Sequence, residues 1–256
     1  MKGHARQWLS IFVLVAILLA GVLAADPVID LSKAFQPPSR EFWLGSTPLG
    51  QSVVTLVVTG AVSTLLLSTG ALLAALAVAF ACSGLFYLAP RPAQQMYAGL
   101  VDAWLAIPGI FIALSIGYFL PQSFLSVLTA LVLSEFAPLQ KFLLQRLEGI
   151  RQAEYITMAA VMGAPATHRL RLHVLPRLAR ETGFLFVVSL PSVALSLASL
   201  EFLGVQTGSE RMSLGLQIAI YKDYIWLYPH LSLAPVAMLL ITLFCLNSAS
   251  RLVRRA

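Results

Sequence analysis

Three carboxylates stand inside or at the ends of long apolar runs: Asp102, Glu135 and Glu201. An ionised acid in hydrocarbon costs about 2.5–3.5 kcal/mol on insertion scales, so each needs a partner, water or a proton. Acids so placed can relay protons or hold cations along a path through a membrane; they can equally sit at its edge and do no chemistry. Asp102 and Glu135 are candidate pathway residues. Asp102 also reads as an inner-interface residue, and Glu201 as one at the outer rim. Other chemistry is sparse. Of the four histidines, only His168 and His173 are close, and their spacing is poor for metal ligands. No nucleophile, base and orienting group stand out together. None of the four lysines fits a Gly-x-x-x-x-Gly-Lys-Ser/Thr phosphate loop. The chain is expected to bind no metal or cofactor and to hydrolyse no ATP by that route.

The other stretch suited to a task is Glu154–Pro176, EYITMAAVMGAPATHRLRLHVLP, a polar and basic segment between apolar ones. It is helical in character to Met162, breaks at Gly163-Ala164-Pro165, and resumes through Arg169, Arg171 and His173. A short helix, a turn and a second short helix make a hairpin that can project from a membrane. Glu154, Tyr155 and Thr157 beside Ala159 and Ala160 offer a small, polar surface that suits a groove on a soluble partner. The residue types equally allow a basic loop that only sets topology.

Composition supplies the setting. The chain is 59% hydrophobic and 11% charged, with mean hydropathy +0.84, against roughly a quarter charged in soluble proteins. It is expected to be an all-α polytopic membrane protein. Cys82 and Cys245 both fall in apolar runs and read as small core residues. The first span runs from about Trp8 to Ala25, with a cleavable leader as the alternative reading. The charge-free stretch 52–88 exceeds one upright span of ~20 residues, which predicts an interfacial helix near 50–61 and a second span near 62–86. Gly60/Thr64, Gly70/Ala74 and Ala71/Ala75 are small-residue steps for close helix contact there. A turn at 84–95 leads to a third span, 96–120, kinked at Pro108-Gly109. The fourth, fifth and sixth spans are 124–144, 183–203 and 229–250. With the N-terminus inside, the inner segments hold thirteen Lys and Arg. The outer ones hold four: Lys33, Arg40, Arg211 and Lys222. That asymmetry puts both termini in the cytoplasm, and it ties the net charge of +6 to the membrane and not to nucleic acid.

The hairpin resembles the cytoplasmic EAA signature of binding-protein-dependent ABC importer permeases. The frame is Thr157-Met158-Ala159, then Gly163, then Leu175-Pro176, with Thr157 and Met158 where the family has Glu and Ala. Glu154-Tyr155 and His173-Val174-Leu175-Pro176 are most similar to the peptide/nickel branch. Leu44-Gly45-Ser46-Thr47-Pro48-Leu49-Gly50-Gln51-Ser52 resembles its Leu-Gly-Thr-Asp-x-Leu-Gly-Arg-Asp, with Thr47, Gln51 and Ser52 at the charged positions. Leu100-Val101-Asp102, Ile107-Pro108 and Glu201-Phe202-Leu203-Gly204 also match its pattern, Glu201 replacing a small residue.

The resemblance implies a bacterial inner-membrane permease with six transmembrane helices. Residues 1–50 form an N-terminal span and outer loop, and residues 51–256 the type I importer core, with the coupling hairpin at about 145–182. It implies ATPase-coupling roles for Glu154, Tyr155, Thr157, Ala159, Gly163, Ala164, Leu175 and Pro176. The implied partners are a second, different permease, two cytoplasmic ATPase subunits that bind the ATP, and an extracytoplasmic solute-binding protein. The implied cargo is a peptide, nickel or a metal chelate. An ion-coupled secondary carrier using Glu135 or Asp102, and a non-transporting scaffold, remain the alternatives.

Overall fold

The computed structural model describes residues 2–24, 28–40, 42–208 and 211–253, with side chains from Phe12 to Arg251. Within them lie ten α-helices: α1 (Lys2–Leu23), α2 (Val53–Leu88), α3 (Arg91–Leu105), α4 (Gly109–Phe119), α5 (Phe124–Arg151), α6 (Glu154–Val161), α7 (Ala166–Arg169), α8 (Leu175–Phe202), α9 (Leu214–Tyr221) and α10 (Pro229–Val253). The sole β pairing among the described residues is an isolated bridge, Ser46 to Ser52. Four continuous segments are long and apolar enough to cross a membrane: α2, α5, Ala166–Phe202 and α10. The pair α3 and α4 is a fifth candidate, bent by 81° at the break.

Several expected boundaries are corrected. There is no separate interfacial helix at 50–61, because α2 runs unbroken for 36 residues. The stretch holds no proline and no charge, so nothing interrupts its hydrogen bonds, and at 1.5 Å per residue it reaches ~54 Å, well beyond the ~30 Å of hydrocarbon. The turn expected at 84–95 shrinks to Ala89-Pro90, and α3 starts at Arg91 with Pro92 in its first turn, where a missing N–H costs nothing. The kink at Pro108-Gly109 is a full break. The fourth span continues as helix to Arg151. Gly70 faces open space and makes no close helix contact.

The core is layered along α2. Its C-terminal half packs Leu72, Leu76 and Tyr87 against Leu143, Leu147 and Ile150 of α5 and Leu178 and Leu185 of α8, with Ile156 of α6 and Val174 in the same cluster. Its N-terminal half packs Val53, Leu56 and Ala61 against Leu214 and Tyr221 of α9 and Leu231 and Leu239 of α10. Helix α1 joins through Leu14 and Leu18, which meet Leu65 and Leu246. A Cβ on Gly21 of α1 would stand 2.4 Å from Val62 Cγ2. The first apolar run therefore packs on the bundle as a helix.

The segment before α2 is a set of turns, as its prolines predict. Thr47, at a position where the resembled motif is charged, is buried and accepts hydrogen bonds from the amides of Leu49 (3.3 Å) and Gln51 (3.1 Å). Gly50 has φ +73°, and a Cβ there would fall 1.7 Å from the Asp30 carbonyl oxygen. The glycine survives for shape while the charged positions become turn formers.

Candidate functional site

Three places bring together the residues singled out in the sequence. The first is the hairpin. Helix α6 ends where Gly163 adopts φ +84°, a left-handed conformation that L side chains resist. The Gly163 and Ala164 amides close the turn on the carbonyls of Ala160 and Ala159, both at 3.0 Å. Pro165 then starts α7, which passes through a π turn at Leu170–Val174 into α8. Pro176 has no N–H to give the carbonyl four residues back, and its ring crowds that carbonyl, which accounts for the widened turn ahead of it. The second helix of the hairpin is therefore the start of the long Ala166–Phe202 segment and not a separate short helix. Any push on the hairpin reaches α8 directly.

Three hairpin residues, Ile156, Leu170 and Val174, are plugged into the core at 2%, 9% and 0% exposure. The Tyr155 ring meets the His173 ring edge-on at 5.9 Å. Glu154, Thr157 and Gly163 are exposed, Ala159, Ala164 and Leu175 are half-buried, and Pro176 is exposed. The residues that sequence reasoning missed are apolar: Met158, Val161 and Met162 are 63%, 79% and 86% exposed. With Tyr155 they recur at three- and four-residue steps, so they share one helix face. That spacing was visible in the sequence, but the polar residues around it drew the reading away.

The second place is the break between α3 and α4. Pro138 inside α5 leaves the Ser134 carbonyl without its helical donor, and Gly109 packs on that carbonyl, where a Cβ would lie 3.2 Å away. A cavity of about 310 Å³ opens beside this contact, lined by Trp104, Pro108, Ser134, Glu135, Pro138 and Ser196. Glu135 accepts a hydrogen bond from Ser196 Oγ of α8 at 3.0 Å. It is half-buried and lines the cavity. Asp102 is elsewhere, on the outer face of α3, and pairs with Lys141 of α5 at 2.5 Å. Since α3 begins at Arg91, Asp102 lies ~16 Å along it, near the break and not at the inner end. Asp102 is 53% and Lys141 36% exposed in the chain alone, which suits a face turned to water or protein and not to lipid. Lys141→Met should lower the detergent melting temperature by a few degrees, and the reversed pair Asp102→Lys with Lys141→Asp should recover most of it.

The third place is where α9 folds back. Glu201, next to the C-terminal end of α8, is fully buried. Ser213, the N-cap of α9, donates a short hydrogen bond to its Oε2, and the Leu216 amide also reaches the carboxylate. The carboxylate thus lies at the positive end of α9, where a helix favours an anion. Thr64 Oγ1 of α2 accepts from the Leu214 amide at 2.9 Å, and Gln217 Nε2 donates to the Leu56 carbonyl at 2.7 Å. The site ties α2, α8 and α9 together and has the character of a structural clamp.

Among the described residues no group of His, Cys, Asp and Glu gathers as a metal centre would require, and both cysteines are free. The arginines collect at the hairpin end: Arg91, Arg151, Arg169, Arg171, Arg177 and Arg180 belong to segments that meet there, and Arg146 of α5 pairs with Glu181 of α8 at 3.4 Å. The side chains of Lys2 and Arg6, and all of Arg254 and Arg255, lie outside the described residues.

Residues 75–256 match the family described as binding-protein-dependent transport system inner membrane component. The oligopeptide transport system permease protein OppC of Bacillus subtilis (strain 168) is 18% identical over 252 residues, 96% of this chain and 83% of that protein. The glutathione transport system permease protein GsiD of Shigella dysenteriae serotype 1 (strain Sd197) is 21% identical over 252 residues, with the same 96% and 83% shares.

Proposed function

This chain belongs to the family of binding-protein-dependent transport system inner membrane components, and from that premise we propose that it is a pathway-forming permease of a peptide ABC importer. Its relatives' names support peptides or small peptide-like solutes as cargo, and nickel or a metal chelate is kept as the narrower alternative of the branch. In this reading six spans cross the inner membrane: α1, α2, the bent pair α3 and α4, α5, α8 and α10. The hairpin and both termini face the cytoplasm, in keeping with the arginine-rich hairpin end.

The observation that carries the reading is the apolar stripe of Met158, Val161 and Met162 on an exposed, basic hairpin. Apolar side chains held out this way mark a docking surface. Two separate ATPase subunits supply the ATP site, one on this hairpin and one on that of a second permease, and an extracytoplasmic binding protein delivers the solute. Their closure moves α6, and the unbroken run through α7 and the π turn passes the motion to α8, giving alternating access. The second permease packs on the face of α3 and α5 that carries Asp102 and Lys141. Co-purification tests the docking. The wild-type chain should retain its cognate ATPase, and Met162→Asp, a change at a residue 86% exposed, should lose it while melting normally. Retention by both variants would rule out docking through this face.

Glu135 is the pathway acid in this reading. Glu135→Gln keeps an acceptor for Ser196, so the fold should hold while ATP-driven uptake falls about tenfold, near the 1.4 kcal/mol that one such contact supplies. Unchanged uptake would remove Glu135 from the path. Uptake driven by a proton gradient without any ATPase would favour a secondary carrier instead.

A further inference from the structure

A second cavity, of about 740 Å³, lies at the root of the hairpin, between α3, α5 and α7. Arg91, Arg151 and Arg169 line it, one from each helix, with Gln94 and Gln95 beside them. Glu148 is the one acidic group on its wall. Arg151 is a fixed post: it donates to the Tyr87 carbonyl at 2.9 Å and to Gln94 Oε1 at 2.8 Å, with the Tyr87 ring 4.8 Å away. Its link to Glu148 is loose, at 3.8 Å. Arg169 is different. Its Nε is shut off from water and has no hydrogen-bond partner among the described residues. Arg91 is exposed at the mouth. Three guanidiniums facing one carboxylate leave the wall cationic, with a desolvated donor unused.

We infer that this groove is a binding site for a phosphate group, carried either by an anionic phospholipid headgroup or by a soluble phosphate compound. Guanidinium forks match phosphate oxygens in pairs, and a phosphate has enough acceptors for Arg169 and Arg91 together. The bound anion bridges α7 to α3 and α5, so it fastens the hairpin's root to the bundle. Under the importer reading it would set how stiffly the hairpin transmits motion; the binding itself does not depend on that reading.

The test therefore uses binding alone. The purified full chain in neutral detergent is melted with phosphatidylglycerol, with phosphatidylcholine as the zwitterionic control, and with pyrophosphate against chloride. The wild type should gain about 5–10 °C from at least one of the two anions, the scale expected for a ligand near a hundred times its dissociation constant. Arg169→Gln and Arg91→Gln should start from near wild-type melting and gain less than about 1 °C. Arg180→Gln, exposed and outside the groove, should gain as the wild type does. A gain from phosphatidylglycerol alone assigns a lipid, one from pyrophosphate alone a soluble ligand, and one from both a site open to either source. No gain, a gain undiminished in both groove variants, or equal loss in Arg180→Gln would overturn the proposal.

Discussion

Gly163→Val is expected to cut ATP-driven uptake at least tenfold while the permease remains folded and inserted. The argument is conformational. Gly163 holds φ +84°, yet a Cβ there would meet nothing within 4 Å. A side chain is excluded by the backbone and not by a neighbour. A β-branched residue in this region costs about 1–2 kcal/mol or more, and the short α6 turn has little packing beyond Ile156 to hold it. The turn should reopen and the Met158–Met162 face swing out of register with the ATPase. Asparagine tolerates the left-handed region, so Gly163→Asn should retain most uptake and Gly163→Ala should fall between. Transport in vesicles with ATPase and binding protein supplied measures the series. Equal loss in all three would mean that bulk matters and the turn geometry does not; no loss would detach this turn from coupling. Aspartate is a useful fourth variant. It also tolerates the turn but adds a charge at the docking face, so uptake lost by Gly163→Asp and kept by Gly163→Asn would locate the ATPase contact at this residue.

The sequence made the hairpin legible because its breakers are local. Gly163 and Pro165 act on their own neighbours, and the structure breaks where they stand. It was less informative wherever the deciding partner is distant. The continuity of α2 was lost in a rule about membrane thickness, although the chain itself has no residue between 53 and 88 that would stop a helix. The kink at Pro108 was visible, but its 81° angle depends on Gly109 meeting the Ser134 carbonyl of another helix. Asp102 was visible as an acid; its partner Lys141 is set by the packing of α3 on α5, to which no spacing in the chain points. The charged positions of the outer motif were noted as neutral, and the structure shows what the neutral residues do: Thr47 caps a turn with its hydroxyl.

Glu201 is the clearest case of that limit, and it carries the second large effect. At the end of an apolar run its burial is not legible, because its partners come from α9, which lies beyond a loop and folds back against α2 and α8. The fit there is tight. A methyl on Gly215 would stand 2.5 Å from Ala198 Cα and 2.7 Å from the Ala198 carbonyl oxygen. Gly215→Ala should therefore wedge α9 off α8 and pull Ser213 from Glu201. Overpacking of this kind costs about 1–3 kcal/mol, and contact with backbone, which cannot rotate aside, puts it at the upper end. The melting temperature in detergent should drop by about 5–10 °C. Ala198→Gly should not rescue it, because the obstruction is the Ala198 backbone and not its methyl. Glu201→Ala should destabilise by a similar amount for a different reason, leaving the Ser213 hydroxyl without its acceptor in a dry site, while Glu201→Gln keeps an acceptor oxygen and should lose less. The double variant Gly215→Ala with Glu201→Ala then separates the two causes. If α9 is already detached by the wedge, the second change adds little, and the sum of the two singles overstates the double. Full additivity would mean that α9 stays docked despite the wedge, and the clamp would be two independent contacts.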